Sequence, residues 1–321
     1  MTKQSAVCQN TLTRKTPWQK FKVGFLRNWQ LYLLLLGPII YMILFEYIPL
    51  FGLQIAFKDY RTRRGIFGSE WVAFQHFETF FGNYKWVYYV RNTFVLAMYS
   101  ILASFPVPII LALMLHVNEN KVLKKITQNL SYVPHFISIV VMVGILNRIF
   151  DPVSGIYGTI ADWLGISGPK NLLASAEAFP HMYVWSGVWQ NMGWSAIIYV
   201  SALGAASPEL HEAARIDGAS RWRRVWVVDI PAILPIMCIQ LIQRMGGILN
   251  VGYEKVYLMQ NDLNLKASEV ISTYVYKYGI GQNNLSYGTA VSMMNSVVST
   301  VMVLIVNWVV NKLSDNEYGL F

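Results

Sequence analysis

Charge is scarce in this chain. Only 13% of its 321 residues are Asp, Glu, Lys or Arg, while 55% are hydrophobic. Soluble domains carry about 25% charged residues, so most of this polypeptide must face lipid or other apolar segments. Cysteine is equally sparse. Cys8 and Cys238 fall in an expected tail and an expected span, which excludes a disulfide framework or a thiolate metal site. The five histidines are scattered and none has a zinc-like spacing, so no metal site is expected. No Gly-rich phosphate-binding loop ending in Gly-Lys-Ser/Thr occurs. If ATP is used, another chain hydrolyses it, and no cofactor is expected here. Paired carboxylates are missing too: Glu46 and Asp151 lie near span ends without a companion at useful spacing. That counts against a membrane-bound glycan enzyme. A secondary transporter would show internal repeats and an ion-binding carboxylate in a broken span, and fits poorly.

The first 28 residues contain no apolar run and no acid, so no cleaved signal peptide is expected. They do contain Lys3, Arg14, Lys15, Lys20, Lys22 and Arg27, a basic flank of the kind that stays on the inner side of a membrane. The net charge of +9 therefore points to inner loops and lipid headgroups, not to nucleic acid. What the chain has in abundance is long apolar runs. Six spans are predicted at about 30–50, 92–116, 129–150, 181–204, 230–250 and 288–311, each near the ~20 residues needed to cross ~30 Å of hydrocarbon. The chain reads as an all-α integral membrane protein. Its domains are an inner N-terminal tail (1–29), a six-span unit (30–311) and an inner C-terminal tail (312–321). Six spans put both termini in the cytoplasm. The segments then placed inside hold fourteen Lys and Arg against ten outside, and they are also the shorter ones. Within the first outer loop, Phe67, Trp71, Phe74, Phe77 and Phe81 suit a helix lying on the membrane surface. A further helix is predicted near 268–278. Gly37-Pro38 and Pro49 should bend the first span, whose Glu46 is expensive to expose to lipid and is expected to face protein or the outer interface.

The most polar stretch between two spans is 205–230. Four arginines and four acids fall between Ser207 and Asp229. Ser207 can cap a helix whose first position suits Pro208, Glu209 and Glu212 favour its positive end, and Gly218 can stop it. The spacing predicts a helix over 208–217, a turn, and a second basic helix bearing tryptophan. Leu210, Ala213, Ala214 and Asp217 share one face of the first helix, where small alanines would let another protein come close.

Glu212-Ala213-Ala214 with Gly218, followed by Ile230-Pro231, resembles the EAA loop of ABC-importer permeases. The longer run EAARIDGAS is similar to the maltose-permease-like carbohydrate branch. Val228 and Ile230 depart from the usual Ile and Leu but remain apolar. EYIPLFGLQIAFKDY, HFETFF and VISTYVYKYGI resemble the polysaccharide branch named for lipoprotein-gene neighbours, which includes alginate importers. Asn261-Asp262 departs from the Asn-Pro of relatives. The resemblance covers about Leu31 to Val310. It implies a type I ABC-importer permease in the bacterial inner membrane. Its docking residues would be Glu212, Ala213, Ala214, Asp217 and Gly218. Its partners would be a second related permease, two ABC ATPase subunits holding ATP and Mg, and an extracytoplasmic solute-binding protein.

A sugar path needs hydrogen-bonding groups and aromatic faces inside the spans. Gln240, Gln243, Arg244 and Gly247 form a helical stripe in the fifth span. Ser292, Asn295, Ser296 and Ser299 form another in the sixth. Trp185, Trp189, Gln190 and Asn191 add to these from the fourth. Serine and asparagine stripes also serve as glue between spans, and both readings stand for the sixth. A mid-span arginine is rare without a function. Arg61, Arg63 and Arg64 in the first outer loop could line an entrance, because guanidinium groups pair with carboxylates. With Arg244 inside, they suit an acidic oligosaccharide such as alginate. A loop touching the binding protein or lipid, and a neutral oligosaccharide substrate, are the alternatives.

Overall fold

The computed structural model describes residues 27–165 and 171–314, with Trp18, Phe25 and Gly319. Cys8, Lys3, Arg14, Lys15, Lys20, Lys22 and most of the C-terminal tail lie outside the described residues. The chain divides into two units, Met1–Gln54 and Ile55–Phe321.

Helix α1 runs from Trp29 to Phe57. It carries Pro38 within its first α-helical part and a π-helical turn over Ile43–Tyr47 that holds Glu46. The wide turn lies just before Pro49, whose ring would collide with the carbonyl four residues back in a regular helix.

The second unit begins with a short hairpin, β1 (Lys58–Asp59) antiparallel to β2 (Glu70–Trp71). Here the structure corrects the sequence. The surface helix expected over 67–81 is only α2, Gln75–Gly82, because Ala73 takes a positive φ of 51° and breaks it. Trp71, Phe74 and Phe77 instead gather around Phe57, with ring centroids 5.6–5.8 Å from it.

Helix α3 (Trp86–Val117) starts earlier than expected and is interrupted at Phe105, just before Pro106. The third expected span is not straight. An amphipathic helix α4 (Lys121–Tyr132) and a 3₁₀ turn at Pro134 meet α5 (Ile139–Ile149) at 102°. Ser138 is extended at the break, and its hydroxyl accepts the Val141 N–H at 3.3 Å. Helix α5 alone has 11 residues, about 16 Å, roughly half a bilayer core. Helix α6 spans Phe179–Gly204, 26 residues. Helix α7 (Pro208–Ile216) precedes α8, Arg221–Gly246. The basic helix expected after the turn is therefore the first part of α8. Helix α9 (Tyr253–Met259) and the helical run 271–281, somewhat later than the predicted 268–278, lead to α10 (Leu285–Leu313).

Among the described residues, four helices are long and apolar enough to cross a membrane, α1, α3, α8 and α10, and the bent pair makes a fifth. Helix α6 has the length but dilutes its apolar residues with His181, Gln190 and Asn191. It is the packing centre of the second unit. Val184, Val188, Ala196, Tyr199 and Leu203 are buried along it, against α3 and α5 at one end and α3 and α8 at the other. Lipid tails are as apolar as leucine, so close packing must hold these helices together. Gly193 shows how close: a Cβ there would collide with the Ser131 carbonyl of α4.

Candidate functional site

Helix α7 forms where the cap and stop residues placed it, and none of its residues is buried. Ser207 occupies the N-cap position, but its hydroxyl makes no capping bond. Pro208 and Glu209 in the first turn are left to favour that end. Gly218 ends the helix at φ +75° and donates to the Arg215 carbonyl at 3.1 Å. The Ala219 N–H reaches Ala214 O at 2.9 Å, so the turn closes on the helix end in the manner of a glycine C-cap. Ser220 starts α8 by accepting the Arg223 N–H at 3.3 Å. Leu210, Glu212, Ala213 and Asp217 are exposed and Ala214 half-buried, so the unit presents an open helical face.

The transport-path candidates separate. Gln190, Asn191 and Arg244 line one cavity of about 340 Å³ between α3, α6, α8 and α9. Arg244 Nη1 donates to Ser104 Oγ at 2.6 Å. Gln190 Nε2 donates to Ile137 O at 2.7 Å, and Asn191 Oδ1 lies 3.0 Å from His135 Nδ1. These bonds fix the amides on the wall at the break before α5. Trp185 and Trp189 are not part of this wall. Trp185 Nε1 donates to Tyr99 OH at 2.8 Å, and both rings stay about half exposed in this chain. Gln240, Gln243, Asn295 and Ser296 are also off the wall. Asn295 Nδ2 reaches Leu249 O at 3.4 Å, and Ser296 bonds back to Ser292 O within α10 at 3.1 Å. Asn295 thus bonds across to the segment after α8, while Ser296 bonds only within its own helix.

Lys255 was missed from sequence. It sits in α9, 7% exposed, on the wall shared with Arg244. Its Nζ donates to Tyr183 O at 2.7 Å and lies 4.6 Å from the Tyr183 ring centroid. Gly187 leaves room for it, since a Cβ there would come within 3.1 Å of Nζ. One signal was available: Val251, Lys255 and Met259 repeat at four-residue spacing, and all three are buried. A lysine on an apolar face invites the question of what it meets.

Burial pulls Lys255 down from 10.5 to about 8, because the charged form is disfavoured in a poorly solvated place. The native state thus releases this proton before the unfolded chain does. Stability should rise with pH between about 8 and 10.5, where the unfolded state binds more protons. The cavity's second positive charge is present below about 8 and lost above it. Uptake of an anionic solute is expected to fall as pH rises through that value. Lys255→Arg, which keeps its charge, should flatten the profile in proteoliposome uptake assays. An unchanged decline in that variant would assign the titration elsewhere.

Two of the three candidate entrance arginines are already engaged on the hairpin. Arg61 pairs with Asp59 at 3.0 Å and Arg64 with Glu70 at 2.6 Å, while Arg63 is exposed. Asp59 and Glu70 also line a cavity of about 510 Å³ with His76, Tyr274 and Tyr287. Carboxylates at that mouth weaken the attraction that the arginines alone would exert on an acidic solute.

A family model described as binding-protein-dependent transport system inner membrane component matches residues 104–315. Protein LplB of Bacillus subtilis (strain 168) is 39% identical over 296 residues, 92% of each chain. The polygalacturonan/rhamnogalacturonan transport system permease protein YteP of the same organism is 36% identical over 319 residues, 99% of this chain and 98% of that one. A chain in the crystal structure of a bacterial alginate ABC transporter, in complex with an alginate pentasaccharide-bound periplasmic protein, is 34% identical. It superposes with a TM-score of 0.84 and covers 92% of this chain and 98% of that one.

Proposed function

The chain belongs to the family of binding-protein-dependent transport system inner membrane components, and from that membership we propose that it imports acidic oligosaccharides or polysaccharides as one permease subunit of an ATP-driven assembly. It is a multi-pass membrane protein with the ABC-importer permease fold. A second related permease completes the path. Two ATPase subunits carry ATP and Mg, one of them docking on α7, and an extracytoplasmic binding protein delivers the glycan.

The observation that carries the acidic substrate is the pairing of Arg244 and Lys255 on one cavity wall. Two cations drawn out of water favour a ligand that brings carboxylates with it. Gln190 and Asn191 beside them offer amides to hydroxyl groups. Alginate and polygalacturonan, the solutes named for two similar transporters, are both uronate polymers, which supports the same reading. ATP-driven closure of the ATPases would push α7, and through Ser220 and α8 the movement would reach Arg244 in the same continuous helix.

The test is the ATPase activity of the co-purified complex in liposomes, with a panel of glycans on the binding protein. Stimulation by uronate oligosaccharides but not by malto- or xylo-oligosaccharides is expected. Stimulation by neutral glycans alone would keep the importer and discard the acidic substrate. Failure of any ATPase to co-purify would overturn the assembly.

A further inference from the structure

Three side chains far apart in sequence converge beside the docking helix. His116 ends α3, His211 lies in α7 immediately before Glu212, and Asp229 lies in the first part of α8. Their ligand-capable atoms, one from each, all fall within 4.8 Å of one another. Asp229 Oδ1 is 3.1 Å from His211 Nε2 and 3.5 Å from His116 Nε2. The aspartate side chain is 2% exposed, and the imidazoles are 23% and 26% exposed.

We propose that His116, His211 and Asp229 bind a divalent, zinc-class transition-metal ion that staples the docking helix to the ends of α3 and α8. Tetrahedral zinc holds nitrogen and oxygen ligands about 2.0–2.2 Å away, which sets the ligand atoms about 3.3 Å apart. The two separations from Asp229 Oδ1 straddle that value. The orientation argues the same way. Asp229 Oδ1 and His211 Nε2 are both buried and neither makes a hydrogen bond, although they are 3.1 Å apart. Two groups at that distance that are not aimed at each other are free to aim at a third point between them. A buried carboxylate oxygen that accepts no hydrogen bond is costly, and a metal ion would satisfy it together with the imidazole.

The nearby arginines do not already fill this role. Arg224 Nε is itself buried without a hydrogen bond, and Arg221 is drawn to Glu119 at 3.0 Å. The open fourth position would face a cavity of about 150 Å³ that these arginines line. They would favour an anionic fourth donor such as hydroxide or chloride. Imidazole and carboxylate together suit zinc-class ions over magnesium or calcium. None of the sequence spacings shows this set, because its three members come from three helices.

The permease in its assembled complex, stripped with a chelator, would be titrated with Co²⁺ and then analysed for retained Zn²⁺. One Co²⁺ per chain with the intense visible d–d bands of tetrahedral coordination is expected, displaced by Zn²⁺. His211→Gln, a partly exposed position, should weaken binding at least tenfold, and Asp229→Asn should do so as well. His76→Gln, on the outer face, should retain the wild-type stoichiometry. Wild-type complex that binds no more metal than His211→Gln, or gives no tetrahedral bands, would overturn the site and leave a proton-sharing His–Asp cluster. The wild-type spectrum decides the matter even if Asp229→Asn fails to assemble. Metal binding is read without substrate or nucleotide, so its failure would not touch the importer reading.

Discussion

Arg244→Met is expected to abolish uptake while the permease still assembles with its partners. Methionine keeps an unbranched, flexible stem among the apolar neighbours of α8, so the helix loses its guanidinium without losing much packing. The bond to Ser104 Oγ at 2.6 Å disappears, and with it one of the two positive charges on the cavity wall. A hydrogen bond to a charged group contributes about 1.5–3 kcal/mol. A guanidinium that grips a carboxylate with two such bonds could therefore account for more than a hundredfold in apparent affinity. Arg244→Lys should fall between the two, because an ammonium supplies the charge but not the fork. The measurement is uptake of labelled oligouronate into proteoliposomes, beside the stoichiometry of the purified complex. Normal uptake by Arg244→Met would remove this cavity from the path.

The second large effect belongs to α7. Combining Glu212→Ala with Gly218→Val should uncouple ATP hydrolysis from transport, lowering uptake at least tenfold per ATP consumed. Glu212 is exposed on α7, so truncating it removes the proposed contact with the ATPase without disturbing any core. Gly218 acts differently. At φ +75° it occupies a backbone region that costs a residue with a side chain about 1–2 kcal/mol, more for a β-branched one. Nothing lies within 4 Å of the Cβ it lacks, so backbone conformation and not crowding makes the position intolerant. Valine would loosen the turn between α7 and α8 and with it the link from the proposed docking face to the cavity. Simultaneous assay of ATPase activity and uptake checks this, and a wild-type ratio in the double variant would sink the docking role.

Much of this was legible in the chain. The EAA stretch announced itself through Pro208, the acids after it and Gly218, all of which act within one or two helical turns. Arg244 stood out because a charge in an apolar run is rare for a physical reason. The errors fell where several local signals competed. The aromatic stripe 67–81 has helical spacing, yet its rings cluster on Phe57 across a hairpin. Pro134 and Ser138 could have kinked a continuous third span, but the structure bends there by 102°. In the segment after the fifth span, Lys255 looked like an ordinary loop charge.

The sequence by itself determined the membrane class, the positions of most helices and the turn after α7, since hydropathy, capping and backbone preference are settled by neighbours a few residues apart. Only the tertiary structure decided which helix faces meet. It brought Lys255 and Arg244 onto one wall while leaving Trp185, Gln240 and Asn295 off it, and gave Arg61 and Arg64 carboxylate partners. It also gathered His116, His211 and Asp229 around a common point. Those outcomes depend on helix rotation and crossing, which close packing between distant segments sets and no local pattern records.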